Sequence, residues 1–506
     1  MDTKVLRQKI LDLAIRGKLV PQDPNDEPAS VLLERIREQK KQMVKEGKLK
    51  AKDIKNDSVI FVGEDNLHYE KFADGSVKCI EDEIPFELPD GWAWTRLASV
   101  LSLSSGKAIK VRQLTDVGEY PVYGGNGING TYFDYNVEAN TIIIGRVGYY
   151  CGSVYKTISK AWVTDNALIA TVKEPAFFEL EFLVEVLKYL NLGKTSVSTA
   201  QPVVSGKGIL PLIVPVPPKK EQINILKSYN QIVPIINILE NDKEKILSLI
   251  TTIKSKILDL AIRGQLVSQN PDDEPSSVLL ERIRAEKEEL IKQGKIKRDK
   301  KESIIFKSED NSYYEKFSDG KCRSIEDELL FELPDGWEWC NLSMIGTTNI
   351  GLTYKPTDIN PTGTMVLRSS NIVDDTIDLN DLVRVKTKIR ENQYVQPNDI
   401  LICARNGSKA LVGKCALIDE LKEPASFGAF MAVYKTDYYK YVLYYLRSSL
   451  FRNVFDDGNS TAINQLTQDM LKRALIPFPP ISEQERIVNR ISELLSRLRD
   501  IEKSLS

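Results

Sequence analysis

The feature that most constrains the fold of this chain is an internal repeat. KILDLAIRG, from Lys9 to Gly17, recurs without change from Lys256 to Gly264, an offset of 247 (256 − 9). Three further motifs recur in the same order: SVLLERIR at 30–37 and 277–284, FELPDGW at 86–92 and 331–337, and PxPPxxEQ at 215–222 and 477–484. A period of this length is far too long for a solenoid and indicates two copies of one domain-sized unit.

The residues between the repeated motifs differ. Segments 93–214 and 338–476 share only a skeleton. In that skeleton GRVG at 145–148 aligns with ARNG at 404–407, and STA at 198–200 aligns with STA at 460–462. Gene duplication alone would not leave some segments identical and others so different in sequence. We interpret the repeated motifs as a fixed scaffold that presents two different recognition surfaces.

Apolar residues at heptad spacing predict long helices. The seam after Pro234, broken only by Lys243, is formed by Ile236, Leu239, Ile246, Ile250, Ile253, Ile257 and Leu260. The same spacing recurs near the C-terminus in Ile487, Ile491, Leu494, Leu498, Ile501 and Leu505, and near the N-terminus in Leu6, Ile10 and Leu13. Gly17 and Gly264 stand where a C-cap would end each helix.

The offsets between the copies relate the three helices to one another. The C-terminal seam maps onto residues 225–243, and the N-terminal one maps onto 253–260. The terminal helices are therefore the two halves of the central helix, and we expect them to meet and to pack antiparallel against it. As a helix, residues 235–264 would span about 45 Å at roughly 1.5 Å per residue, against about 34 Å for one turn of B-DNA. The helix could space two recognition domains, or serve only as a coiled coil for oligomerisation.

The two inserts are rich in β-branched and aromatic residues between Gly and Asn turns, which predicts short strands. Each also carries one helical stretch, at 178–190 and at 438–451. We therefore predict an α+β fold in which two pseudo-two-fold-related α/β recognition domains are separated by long antiparallel coiled-coil helices. The predicted domains are an N-terminal helix and charged linker (1–85), a first recognition domain (86–218), a central spacer helix (219–264), a repeated charged linker (265–330), a second recognition domain (331–480) and a C-terminal spacer helix (481–506).

Several polar residues of the inserts are candidates for DNA contact. Arg146 and Arg405 each follow a buried-looking strand, where a guanidinium could pair with guanine. Basic turns could contact phosphates, although a solvated charge run would look the same, and glycine-rich polar loops could contact base edges or be ordinary turns. The candidates are Lys107, Lys110, Arg112, Tyr123, Asn126, Asn129, Arg146, Ser198, Thr199, Lys207, Lys355, Arg368, Ser370, Asn371, Arg405, Asn406, Lys409, Asn464 and Gln465.

Motifs for catalysis are missing from the sequence. His68 is the only histidine, which excludes histidine-based metal clusters. GNGING at 125–130 satisfies GxGxxG, but no helical pattern follows it. We expect no catalytic residue, bound metal or bound cofactor in this chain. The six cysteines form no CxxC pair and, with no apolar run of membrane-spanning length, favour a reduced cytoplasmic protein.

The net charge is −2, from 69 basic and 71 acidic residues. Nucleic-acid binders often carry a basic excess. If this chain binds DNA, we expect partner subunits to supply part of the attraction to phosphate.

The order of motifs resembles that of the specificity subunits of type I restriction–modification systems. KILDLAIRG, the ELPDGW motif, YPVYGGNG at 120–127 and PxPPxxEQ leading into a heptad helix carry the resemblance, which covers essentially the whole chain. It implies that each insert is a target recognition domain, and that the chain reads an asymmetric, two-part DNA sequence with an unspecified gap.

The resemblance also implies partners. The repeated helices would bind two methyltransferase (modification) subunits and, through them, two restriction/translocase subunits, and those partners would use S-adenosylmethionine, ATP and Mg. The long charged segments 18–85 and 265–330 depart from the pattern, and we expect them to contact partner subunits. The alternatives are a self-contained methyltransferase or nuclease, and a coiled-coil scaffold or adaptor without sequence preference.

Overall fold

The computed structural model describes residues 2–47, 54, 57–196, 202–299, 302–454 and 465–505. The chain divides into unit 1, residues 1–242, and unit 2, residues 243–506. The boundary falls inside one long helix, so each unit owns one part of it.

Unit 1 begins with helices and a small sheet and continues into the first insert. Its helices are α1 (Thr3–Ile15), α2 (Ala29–Lys45), α3 (Leu97–Val100), α4 (Leu180–Tyr189), α5 (Gly206–Ile209) and the first part of α6 (Lys219–Ile262). Its strands are β1 (Ser58–Val62), β2 (His68–Phe72), β3 (Val77–Cys79), β4 (Ala93–Arg96), β5 (Leu101–Ser105), β6 (Tyr120–Gly124), β7 (Gly127–Tyr132), β8 (Ile142–Gly145), β9 (Val154–Lys156), β10 (Trp162–Val163), β11 (Ala167–Val172) and β12 (Ile213–Val216).

Unit 2 repeats this order. Its helices are the rest of α6, α7 (Ser276–Lys292), α8 (Leu342–Ile345), α9 (Tyr439–Arg447), α10 (Ser449–Arg452), α11 (Gln468–Arg473) and α12 (Ile481–Leu505). Its strands are β13 (Ser303–Lys307), β14 (Tyr313–Phe317), β15 (Cys322–Ser324), β16 (Glu338–Asn341), β17 (Thr347–Ile350), β18 (Ile359–Leu367), β19 (Ile372–Val373), β20 (Thr376–Ile377), β21 (Val383–Val385), β22 (Ile400–Cys403), β23 (Cys415–Leu417), β24 (Ala425–Phe427), β25 (Met431–Lys435) and β26 (Leu475–Phe478).

The sheets of the two units match, except that unit 2 adds the strand pair β19-β20. Each has a three-stranded sheet before the insert (β1-β2-β3 and β13-β14-β15) and a four-stranded antiparallel sheet within it (β5-β11-β8-β9 and β17-β25-β22-β23). A second three-stranded sheet follows the order β10-β6-β7 in unit 1 and β21-β18-β24 in unit 2. Each insert begins and ends in one antiparallel strand pair, β4 with β12 and β16 with β26.

The central strands are buried on both faces. Ile142 and Ile144 point to the core that holds α4, and Ile143 points to a second core beneath the smaller sheet. Alternate residues of a strand face opposite sides, so an unbroken apolar run fits a strand covered on both faces. Ile400-Leu401-Ile402 is divided between two cores in the same way.

The helix predicted at 438–451 is two helices. The side chain of Ser448 accepts a hydrogen bond from Phe451 N and donates to Tyr445 O at 2.6 Å, so it ends α9 and caps α10. The helix predicted at 178–190 is a single one, α4.

The central helix is longer than residues 235–264, the 30 residues for which a span of about 45 Å was predicted. α6 has 44 residues and contains Pro234 in its interior, which gives about 66 Å at roughly 1.5 Å per residue. Proline lacks an N–H and removes one backbone hydrogen bond, but here the helix continues through it.

Each terminal helix packs antiparallel to its own part of α6. In unit 1 Arg7 donates to Asn237 Oδ1 at 2.5 Å, whereas Gln22, beyond the end of α1, donates to Glu221 at 3.0 Å. In unit 2 Lys254 donates to Glu502 at 2.7 Å, and Gln269 donates to Glu483 at 3.2 Å.

The heptad seam is only partly covered in this chain. Its buried members are Ile236, Ile250, Ile257, Ile487, Ile491 and Leu498. The partly buried members are Leu6, Ile10, Leu13, Leu260, Leu494 and Leu505. Leu239, Ile246, Ile253 and Ile501 are exposed. None of the helices in the described part of the chain has both the length and the apolar character needed to span a membrane.

Candidate nucleic-acid interface

A buried contact between a tryptophan and a glutamate holds the frame of each insert. In unit 1 the Trp92 indole N–H donates to Glu221 Oε2 at 2.9 Å, and the Gln22 amide donates to Glu221 Oε1 at 3.0 Å. Gly17 lies against the same indole with a φ of +66°, and a Cβ there would come within 2.9 Å of the Trp92 ring. We call this set the Trp–Glu lock. It joins the end of α1, the start of the insert and the start of α6.

Unit 2 contains the same lock. Trp337 donates to Glu483 at 2.9 Å, Gln269 donates to the other carboxylate oxygen at 3.2 Å, and Gly264 packs on the indole with a φ of +68°. Burial raises the pKa of Glu221 and of Glu483, and the two hydrogen bonds that each accepts oppose that rise. The lock explains why KILDLAIRG, ELPDGW and PxPPxxEQ are all repeated, since each motif supplies one of its parts.

Four segments of unit 1 meet at one end of its four-stranded sheet, which we call edge 1. They are the end of β5 with the residues after it (105–107), the loop after β8 (146–152), the turn before β11 (164–166) and the segment 202–207. The Arg146 N–H donates to Asn166 O, and the Arg146 carbonyl accepts from Val204 N, each at 2.9 Å. The β6–β7 turn reaches the same place, because a Cβ on Gly125 would lie 2.6 Å from Val147 O.

The corresponding end of the unit 2 sheet is edge 2. It comprises the residues after β17 (351–355), the residues after β18 (368–371), the loop after β22 (404–413), the turn before β25 (428–430) and residues 465–466. The Ala404 and Arg405 N–H groups both donate to Phe430 O, and Leu466 N–H donates to Ala404 O at 2.7 Å. Asn406 Nδ2 lies 3.3 Å from Ser369 Oγ.

The strand registers correct the alignment of Arg146 with Arg405. Gly145 pairs with Ala167 at the start of β11, and Cys403 pairs with Met431 at the start of β25. One residue further on, Arg146 therefore corresponds to Ala404. The alignment failed because the following loops differ in length: six residues lie between Gly145 and Gly152 (146–151), but nine lie between Cys403 and Gly413 (404–412).

The two arginines consequently have different surroundings. Arg146 is partly buried, and its guanidinium lies 3.3 Å from Ser105 Oγ. Arg405 is exposed, and its guanidinium lies over the Phe430 ring at 5.4 Å. Successive residues of an extended chain point in opposite directions. The argument that one arginine position is kept in both inserts is therefore wrong.

Lys110 and Lys355 are the basic residues that do occupy equivalent positions. Lys107 N–H bonds to Val163 O, and Leu352 N–H bonds to Phe427 O, so the chain is in register three residues before each lysine. Both lysines are exposed and precede a 3-10 turn. The Lys110 N–H is bound by the Gln113 side chain, and the Lys355 N–H is bound by Asp358 at 2.8 Å.

Two predicted base-contacting residues are core residues instead. The Tyr123 ring is 5% exposed and packs under the smaller sheet of unit 1. Asn371 is fully buried, and its amide donates to the carbonyls of Asp378 and Asp381 at 2.9 and 2.8 Å. Neither side chain can reach a base without unfolding its surroundings. Ser198, Thr199 and Asn464 lie outside the described residues.

The other candidates lie at the surface of their units. Those that are exposed are Lys107, Lys110, Arg112, Asn126, Asn129, Lys207, Lys355, Ser370, Arg405, Lys409 and Gln465. Asn406 is partly buried, and so is Arg368, which pairs with Asp381 at 2.8 Å. In the part of the chain that the structure describes, no cluster of three or more His, Cys, Asp or Glu residues could hold a metal.

Four further residues at the edges or beside them were missed. Tyr149 and Tyr150 lie in the loop after β8, Lys194 is exposed in the turn Leu192–Thr195, and Phe430 is 60% exposed beneath Arg405. Loops carry no periodic pattern, so their exposure is not readable from sequence. The tyrosine pair beside two glycines was the one available signal.

Comparison with known proteins identifies the family. The sequence model described as "Type I restriction modification DNA specificity domain" matches residues 89–248 and 334–506, once in each unit and over more than half of the chain. The chain belongs to this family. This specificity subunit is 27% identical to the type I restriction enzyme EcoAI specificity subunit of Escherichia coli, over 97% of this chain and 89% of that one. It is 26% identical to the EcoEI specificity subunit of E. coli, over 97% of this chain and 88% of that one.

A solved structure supports the same fold. A chain from a study titled "Structural basis underlying complex assembly and conformational transition of the type I R-M system" aligns with a TM-score of 0.52 and 16% identity, over 83% of this specificity subunit and 94% of that chain. The predicted α+β architecture, with two recognition domains and a long helix between them, is confirmed.

Proposed function

We propose that this specificity subunit selects an asymmetric, two-part DNA target, with edge 1 contacting one half-site and edge 2 the other. The observation that carries the proposal is the pairing of an identical frame with different edges. The lock and the strand registers repeat, whereas the side chains at the two edges differ. A frame that served only as a scaffold would not need two dissimilar polar surfaces at equivalent places.

The edges carry the chemistry of DNA recognition. Lys110 and Lys355 lie at equivalent exposed positions, where they would bind phosphate and set the register of each domain on the duplex. Arg405 and Gln465 are exposed neighbours across the bridge that closes edge 2. Their side chains suit guanine and adenine edges.

The proposed partners are two methyltransferase subunits and, through them, two restriction/translocase subunits. In this proposal the subunit itself performs no chemistry, and S-adenosylmethionine, ATP and Mg are used by the partners in the cytoplasm to methylate adenine or cleave foreign DNA. α6 sets the gap between the half-sites, and the charged segments 18–85 and 265–330 contact partners. The net charge of −2 fits a chain whose partners supply part of the basic surface.

A methylation map tests the proposal. The neighbouring methyltransferase is expressed in a methylation-free host, with and without this chain, and the genome is sequenced for methylated adenine. We expect a bipartite motif that appears only with the chain. No motif, or the same motif without the chain, would favour the adaptor alternative.

Exchange of one insert separates the two half-sites. Residues 93–214 are replaced by the equivalent block of a relative with another target, and the map is repeated. We expect one half-site to change while the other stays. A motif unchanged in both halves would refute recognition by the insert.

A further inference from the structure

The loop after β8, residues 146–152, displays an adjacent pair of tyrosines. Tyr149 is 89% exposed and Tyr150 is 50% exposed. Their rings meet edge to face with centroids 5.1 Å apart. Burial of exposed aromatic rings against a partner is favourable, because it removes apolar surface from water.

The base of this loop is tightly bound. Gly145 N–H donates to Ser153 O at 2.8 Å, and Gly152 N–H donates back to Gly145 O at 2.7 Å. Gly148 N–H donates to Pro202 O at 3.0 Å. A Cβ on Gly152 would lie 2.1 Å from Gly193 N, so the loop is pressed against the next turn. A preorganised loop loses little conformational entropy when it binds.

Three cations lie in this loop or in the segments that adjoin it. Arg146 begins the loop, and exposed Lys194 lies in the turn against which Gly152 packs. Exposed Lys207 belongs to α5, where a Cβ on Gly208 would contact Thr195 of that same turn. The neighbouring turn at 164–166 also carries exposed Asp165, whose carbonyl lies 3.5 Å from the Arg146 guanidinium. An aromatic pair with cations on adjoining segments is suited to bind stacked bases and the phosphates beside them.

Unit 2 has no such pair at this place. Its equivalent loop, 404–413, contains no aromatic residue, and its exposed ring, Phe430, lies in a different segment beneath Arg405. The tyrosine pair is therefore a property of edge 1 and not of the common frame.

We propose that Tyr149 and Tyr150 form an aromatic wedge that stacks into the DNA of the first half-site and opens one base step, while Arg146, Lys194 and Lys207 hold the flanking phosphates. The inference rests on the proposed function and deepens it. Inserted side chains unstack and kink a duplex, and pyrimidine–purine steps deform most readily. The wedge would make the first half-site depend on a deformable step, in addition to any direct base contact.

The test uses the full chain in complex with its methyltransferase. Duplexes carry the target found by methylation mapping, with 2-aminopurine placed at successive positions of each half-site. We expect the fluorescence to rise several-fold at one step of the first half-site that does not contain the methylated adenine, since methyltransferases flip their target base out of the stack. The double variant Tyr149→Ala/Tyr150→Ala should abolish the rise and weaken binding by about ten- to a hundredfold, the range expected for loss of base stacking, whereas Tyr149→Phe/Tyr150→Phe should retain both.

Phe133→Ala is the matched control, because that ring is 67% exposed but follows the far end of β7. It should bind as the unsubstituted complex does. The wedge is overturned if no step brightens, if the double alanine variant binds normally, or if that variant fails to assemble with the methyltransferase in the absence of DNA. Failure of the proposed function is distinct, since no methylation motif would then depend on the chain.

Discussion

Trp92 and Trp94 stand two residues apart and are both buried, but only Trp92 has a hydrogen-bond partner for its indole N–H. Replacing Trp92 with Phe removes a donor from buried Glu221, which should lower the free energy of unfolding by about 1–3 kcal/mol more than Trp94→Phe does. Denaturant titration of the two variants checks this. Trp337→Phe and Trp339→Phe form the equivalent pair in unit 2, and equal losses within either pair would contradict the lock.

The loss of unfolding free energy in Trp92→Phe should depend on pH. The pKa of Glu221 is raised by burial, so the protonated form stabilises the fold below the ordinary pKa, and this contribution is lost as pH rises through the raised pKa. At neutral pH the buried carboxylate depends on its donors. The difference in unfolding free energy between Trp92→Phe and Trp94→Phe should therefore grow between about pH 4 and pH 7. A difference that shrinks over this range would show that the lock does not bind the charged form.

A buried glutamate is neutralised from different strands in the two units. Glu70 is bound by Arg96 of β4 at 2.6 Å, whereas the equivalent Glu315 is bound by Arg323 of β15 at 2.7 Å. Burial raises the pKa of Glu70, whereas the hydrogen bonds from Arg96 and Ser58 lower it. The hydrogen bonds outweigh burial, so the pKa lies below its ordinary value. The two units therefore differ at both arginine positions. Unit 2 has Asn341 at the position of Arg96, and unit 1 has Lys78 at the position of Arg323.

This exchange predicts a rescue. Arg96→Asn leaves Glu70 buried without its guanidinium and should reduce the free energy of unfolding by about 3–5 kcal/mol. Adding Lys78→Arg recreates the arrangement of unit 2 and should restore most of that loss, as thermal or denaturant unfolding would show. Lys78→Arg alone should change stability little, because Arg96 already satisfies Glu70. A double variant no more stable than Arg96→Asn would contradict the equivalence.

Lys110 and Lys355 should each contact a DNA phosphate and contribute to binding in the same way. Lys110→Ala or Lys355→Ala should weaken DNA binding by the complex about equally for all sequences. Each should also lower the slope of log affinity against log salt by about one. Fluorescence anisotropy across a salt series measures this. Lys440→Ala, which removes an exposed lysine of α9 beyond the far end of β25, is the control, and an unchanged slope for both edge variants would exclude phosphate contact.

At the scale of elements, the heptad seam predicted α6 and the terminal helices because helical periodicity is carried by apolar spacing alone. The start of α6 lies well before Pro234, since packing at the lock holds the first turns in place despite the missing N–H. Ser448 divides a predicted helix because its hydroxyl caps the next one, a choice that apolar spacing does not reveal. Tyr123 and Asn371 look like surface residues by type, and only the tertiary fold buries them.

The length of α6 should set the gap in the target. Insertion of one heptad between Ile246 and Ile253 adds about 10 Å and nearly restores the helical phase, so the tolerated gap should lengthen by about three base pairs at 3.4 Å each. Methylation mapping of the variant measures the gap. A two-residue insertion turns the helix by about 200° and should abolish methylation instead. An unchanged gap after the heptad insertion would refute the spacer role.

At the scale of the whole molecule, the duplication could be predicted in full, whereas the equivalences within the inserts could not. Identical motifs can be aligned without a structure. Arg146 aligns with Arg405 by sequence because both are arginines, although the loops that follow differ by three residues in length. Hydrogen-bond register depends on pairing between distant strands, and no local pattern reports it. The exposed tyrosines of edge 1 were missed because they lie in a loop, which carries no periodic pattern.

The pairing of β4 with β12, and of β16 with β26, has an evolutionary consequence. Ala93 lies opposite Val216, and Glu338 lies opposite Phe478, so the chain leaves each insert beside the place where it entered. A gene segment bounded by the codons of these strands encodes a cassette whose two ends are neighbours in space. Recombination between the flanking repeated motifs could exchange that cassette, provided that the incoming one packs against α1, α2 and α6. Under the proposed two-part target, such a lineage would change its target one half at a time.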